Sequence, residues 1–168
     1  HGPRGLGAEA FFPAAADRFD GISLRRLAVA EASSCTGATT SPEADRTLRD
    51  DGCGRVVRAL VAPDGSDALV AVSIVAMPSP ERAERAVERL SSQSFAPAPL
   101  AVPAAARREL AVRSPAGAAM LVRISHADAY VLILGALHGD GRGSADPGPL
   151  LTAMGQVRFR IVRVVISA

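Results

Sequence analysis

Two cysteines, Cys35 and Cys53, are the only thiols in the chain, and the stretch TGATTSPEADRTLRDDG separates them. Three chemistries use cysteines in such a pattern. A disulfide requires only the pair and an oxidising compartment. Zinc requires four ligands, usually including close Cys or His pairs; the sequence has no CxxC and no HxxxH, and His1, His126 and His138 are dispersed. A catalytic thiol requires a base beside it, and the local sequence supplies none. The favoured reading is a disulfide between Cys35 and Cys53, with two free buried thiols as the bland alternative.

Acid–base candidates are thinner. Asp50 with Asp51, and Asp140 with Asp146, are the clustered carboxylates. His126 with Asp128, and His138 with Asp140, stand two positions apart, a spacing that shares one face of a strand. Polar turns produce such neighbours by chance, so a solvated role is the stronger expectation. Ser125 sits in no nucleophile-elbow motif. The glycine-rich run GDGRGSADPG lacks both the spacing and the strand-to-helix setting of a phosphate loop. The sequence therefore assigns no catalytic residue, no cofactor-binding residue or cofactor, and no metal ligand.

The elements that would position these residues follow from periodicity and punctuation. Between the cysteines, Ser41 is an N-cap candidate, Pro42 fits the first helical position, acids follow in the first turn, and Gly52 ends the helix. Helix and return loop make a compact excursion whose ends could meet, and closing it stabilises a fold by about 3 kcal/mol in the chain-entropy view. Residues 55–62 and 68–77 read as strands around the turn PDGSD. Ser79 and Pro80 open a second helix, with Ala83, Ala86, Val87 and Leu90 on one stripe and Glu81, Arg85 and Glu88 on a charged face. Pro97, Pro99 and Pro103 mark a linker or an extended crossing segment. Strands are expected at 110–113, 118–125 and 130–137, and a short helix ending at Gly155. The C-terminal segment reads as a strand or a helix; β-branched enrichment favours a strand over 158–166, with Arg158, Arg160 and Arg163 mostly outward, packed on the core or completing the sheet across a homodimer. The expected fold is α+β: an antiparallel sheet with helices packed mainly on one face.

A chain of 168 residues is long enough for a single core. Residues 1–20 are expected to be a flexible lead-in or a cloning remnant and 21–168 a single α+β domain; a start at His1 suggests a processed form or an excised domain. Hydrophobic residues make up 48% and aromatics 4%, so the core must be built from many small side chains. All 19 basic residues are arginine, which codon bias in a GC-rich genome explains. The net charge of +2 is too small to argue for nucleic acid or an acidic membrane surface. There is no apolar run of about eighteen residues of the kind that spans a bilayer.

The stretch from CTG through DDGCGRVVRALVAPDGSDALVAVSIVAMPSPERAERAVERL resembles the extracytoplasmic domains of uncharacterised actinobacterial single-pass membrane proteins. The likeness lies in the spaced cysteines, the glycine before the second, the PDG turn between strands, and an alanine-rich helix. AYVLILGALHGDGR is similar to a later strand and loop in them, so the resemblance covers residues 35–142. It implies an anchored, outward-facing domain at the cell surface or secreted, and it transfers no catalytic motif. The expected role is a non-catalytic sensor or protein-interaction domain. The expected partners are a protein or a second copy, with a membrane only through an anchor outside this chain. A small-molecule or lipid carrier is the alternative, with a pocket lined by Leu132, Leu134 and Val122 as its mark, and a hydrolase is a distant third.

Overall fold

The computed structural model describes residues 6–14, 17–19, 21–98, 100–101, 103–104, 120–139 and 146–168. The elements in chain order are α1 (Ala8–Phe11), β1 (Asp17–Phe19), β2 (Ile22–Ala32), α2 (Pro42–Asp50), β3 (Arg55–Pro63), β4 (Ala68–Ala76), α3 (Pro80–Leu90), β5 (Leu121–Ala127), β6 (Tyr130–His138) and α4 (Gly148–Ser167). Five long strands and the three-residue β1 form one sheet of order β1-β2-β3-β4-β6-β5, antiparallel throughout. β6 returns from β5 to lie between β5 and β4. β4 and β5 therefore run parallel, joined across it by a connection that contains α3. The α+β class and the antiparallel sheet are as the sequence reading expected.

Alternation along the central strands creates two buried faces. Val57, Ala59 and Val61, then Val70, Val72 and Ile74, then Leu132, Leu134 and Ala136 point to one side, where α1 and α4 cover them. Val56, Val75, Val131 and Ile133 point to the other, under α2 and α3. Leu60, Leu69, Ala71 and Leu137 continue that second side with Leu27. The register shift between Arg26 and Ala28 is a bulge, and it brings Leu24 and Val29 to the same face despite their odd spacing.

Both sheet faces thus carry helices, whereas helices mainly on one face were expected. The difference comes from the C-terminus. Residues 158–166, expected as a strand, belong to the twenty-residue α4, and Gly155 does not end that helix. Leu150, Ala153, Met154, Val157, Ile161 and Val165 are all buried, and their spacing is helical. Burying that stripe on the open sheet face outweighs the small helix penalty of β-branched residues, which is a few tenths of a kcal/mol each.

The expected lead-in over 1–20 contains α1, whose Phe11 is completely buried and meets the Tyr130 ring edge-on at 5.7 Å. β2 is a strand where the sequence reading assigned none, its alternation broken by the bulge. The expected strand at 110–113 lies outside the described residues. The described part of the crossing segment lies against the sheet. Thr39 and Pro97 form a bridge, and Met120 and Pro97 approach Gly135 so closely that a Cβ there would sit 2.8 Å from the Met120 sulfur.

Candidate functional site

Cys35 and Cys53 are joined in a disulfide, their Cα atoms 6.2 Å apart. It closes the α2 excursion at its base. Ser41 caps α2 as expected, its hydroxyl accepting from the Ala44 N–H at 3.2 Å. Gly52 follows the helix at φ 94°, and a Cβ there would also strike the Pro78 ring at 2.7 Å. The loop before α2 is organised by Asp45, whose carboxylate accepts from the backbone N–H groups of Gly37 and Thr39, each at 2.9 Å. Beneath it, the fully buried Ser73 of β4 donates to the Ala38 carbonyl at 2.7 Å. The excursion is thereby tied to the sheet by a covalent bond, a carboxylate and a hydroxyl.

Asp51 is the most buried carboxylate of the described residues, with 0% exposure. Arg85 Nε donates to its Oδ1 at 2.8 Å, Arg89 to its Oδ2 at 3.1 Å, and Arg82 stands 3.9 Å away. All three arginines lie along one flank of α3 with about half their side chains in solvent. Asp50, expected as its partner in a carboxylate cluster, points outward and reaches Arg89 at 3.9 Å. The pair is split by burial, and Asp51 serves as the clasp between α2 and α3. Arg85, read from the sequence as part of a solvated charge ladder, turns to Asp51 from 34 positions away.

The histidines divide differently from their sequence neighbours. His138, 5% exposed at the end of β6, pairs through Nδ1 with Asp67 at 3.2 Å. Asp67 comes from the β3–β4 turn, and only strand pairing brings the two together, Ala68 standing opposite His138 in the register. Asp140 lies outside the described residues. The Nδ1 of His126 is buried without a hydrogen-bond partner, so no pairing with Asp128 is made through it. Asp128 occupies the β5–β6 turn at φ 49°, a conformation Asp tolerates. Asp146 accepts from the Gly148 N–H at 3.0 Å at the start of α4. Ser125 accepts from Arg158 Nε at 3.1 Å.

Two further polar links were not legible in sequence. Glu31 at the end of β2 accepts from the Ala8 N–H and from Arg55 at 2.7 Å. The backbone donor first, and then the Arg55 guanidinium, hold its carboxyl below the ordinary range. Arg160 is buried in α4 and donates to the Phe11 carbonyl at 3.2 Å. Tyr130 is pushed up to about 12, by burial and then by the Asp128 charge.

Leu132 and Leu134 face α4, while Val122 packs on the opposite side with the α2–α3 layer. A pocket lined by all three would have to pass through the sheet. The apolar crevice between α1, β2 and α4, edged by Arg26 and Arg160, has an internal free volume of about 10 Å³, room for roughly one water. Among the described residues, no group of three or more His, Cys, Asp or Glu could hold a metal ion, and no helix is long and apolar enough to cross a membrane. No family model, curated protein or solved structure matches the chain.

Proposed function

We propose that this chain is a non-catalytic domain working outside the cytoplasm as a sensor or protein-interaction module. The observation that carries the reading is the Cys35–Cys53 disulfide, closing an excursion that is also clasped to its neighbour helix. Disulfides persist in oxidising compartments. Several of the buried carboxylates and the His138 ring support the non-catalytic part, because they are engaged in holding the scaffold. Asp51 joins two helices, Asp45 orders a loop, and His138 fastens the end of β6 to the β3–β4 turn. What the α2–α3 layer offers outward is a rigid surface of alternating charge, with Glu81, Glu84 and Glu88 beside the arginine flank. Such a surface recognises a partner by charge pattern rather than by chemistry.

Two measurements test it. Trapping thiols by alkylation as the native cells are lysed, followed by intact mass, is expected to show no modified cysteine. Two alkylated thiols would place the chain in a reducing compartment. A photo-crosslinking residue at Glu84, on the outward face of α3, is expected to give a discrete adduct with one polypeptide in intact cells. The same residue at Ser66, in the β3–β4 turn, serves as the control. Equal, diffuse labelling at both positions would remove the interaction role.

A further inference from the structure

α4 is apolar on two sides. One stripe is buried on the sheet. A second runs through Leu151, Gly155, Phe159 and Ile166, successive steps of four, four and seven residues that keep one line on a helix surface, with Val162 half-buried between it and the core. Leu151 is 40% exposed, Phe159 43% and Ile166 70%, and these are the exposed large hydrophobics of the described residues. The line is about 22 Å long at helical rise and one side chain wide. Arg158 flanks it on one side and Arg163 on the other, both exposed. Arg158 is held at the seam with β5 by its bond to Ser125. On this face α4 carries Arg158 and Arg163 and no carboxylate, Arg160 being buried, and Asp128 of the β5–β6 turn shares a hollow with Arg158 and Ile166.

We infer that this outer face of α4 lies on a bilayer surface bearing anionic headgroups. The inference is independent of the reading above, since it concerns the opposite face of the sheet. Charge decides the occupant. In a two-fold pairing of α4 with a second copy, Arg158 and Arg163 would meet their own counterparts, two cations a copy against the single Asp128 beside them among the described residues. Width decides further. A stable protein interface uses about 20–30 residues a side, and a single line of three large side chains is far short of that. A planar lipid surface needs only such a line, with arginine stems lying along the apolar zone and guanidiniums at the phosphates. Phe159 and Ile166 would enter the acyl boundary while the buried stripe stays on the sheet, so no part of the fold has to open.

The test is flotation of the intact chain with vesicles of phosphatidylcholine and phosphatidylglycerol at about three to one, against phosphatidylcholine alone. The expected result is binding about tenfold tighter to the anionic vesicles, weakening several-fold as salt is raised. The double variant Phe159→Ser with Ile166→Ser should lose about tenfold in binding while remaining folded with a cooperative thermal transition, because Ile166 is 70% exposed and Phe159 43%. Equal partition to both vesicles, or undiminished binding of the folded variant, overturns the inference. So does a dimer in solution that the variant dissociates, which would give the face to a second copy. So does selective binding of an acidic Leu/Glu amphipathic peptide by a chain that ignores both vesicles, which would give it to a protein.

Discussion

Asp51 shows how burial sorts residues that look alike in sequence. It and Asp50 are adjacent, yet one is sealed beneath three arginines and the other faces solvent. The arginines keep half their surface in water, so the clasp is asymmetric in cost. Removing the carboxylate by Asp51→Ala returns the guanidiniums to solvent and is expected to cost about 1–2 kcal/mol. Removing its two close donors together, Arg85→Gln with Arg89→Gln, strands a buried charge and is expected to cost about 3 kcal/mol or more. Urea unfolding of both variants checks the order; equal losses would show the carboxylate to be solvated. Tyr130 offers a second test at this scale, because it is the chain's single tyrosine. Its folded-state pKa, about 12, lies above the ordinary 10. The fold therefore favours the neutral phenol, and that contribution is fully present below pH 10 and lost as pH rises towards 12. Ultraviolet titration should show no phenolate until the upper end of this window, and stability should fall across it. Phenolate appearing near pH 10 in folded protein would remove burial as the cause.

At the level of elements, local punctuation was informative and long-range pairing was not. Ser41–Pro42 and Ser79–Pro80 start helices where their chemistry requires, each serine accepting an N–H three residues on. The β3–β4 hairpin also stands where alternation placed it. α4 was misread because Val and Ile dominate its second half, and propensity yields to tertiary burial. The spacing of Leu150, Met154, Val157, Ile161 and Val165 carried the correct period. α1 and β2 were hidden for other reasons: four residues are too few to show a period, and a bulge breaks alternation. The His138–Asp67 and Arg85–Asp51 contacts depend on strand register and helix docking, which no local motif encodes. The disulfide was legible because two thiols leave one partner each. α4 supplies the prediction here. Truncation after Gly155 removes Val157, Ile161 and Val165 from the core, and the shortened chain should lose cooperative unfolding and solubility. Because such a variant reports only failure, Ile161→Ala is the finer probe, with an expected loss of about 2–4 kcal/mol. A loss below about 1 kcal/mol would show that α4 rests on the sheet without completing its core.

The whole molecule is a sheet with two apolar faces, and the same strands build both. β6 places Tyr130, Leu132 and Leu134 under α4, and Val131 and Ile133 under the α2–α3 layer. The disulfide belongs to the second layer and Tyr130 to the first, so the single tyrosine reports on the face remote from the cross-link. If the faces are one cooperative unit, a perturbation on one side must be felt in full on the other. Opening Cys35–Cys53, through Cys35→Ala with Cys53→Ala, releases the loop constraint and is expected to lower stability by about 3 kcal/mol. Tyr130 fluorescence and far-ultraviolet circular dichroism should then move to lower denaturant together, with coincident midpoints before and after the change. The alternative has a distinct signature. Were the α2–α3 layer a separate unit, the variant would lose helical signal in an early step while Tyr130 kept its original midpoint. Shared strands argue against that outcome: Val56 and Val57, like Val131 and Leu132, are neighbours in sequence with one side chain in each core. Neither layer can leave without exposing one face of strands that the other layer needs in register, so a split transition would contradict the two-faced architecture itself.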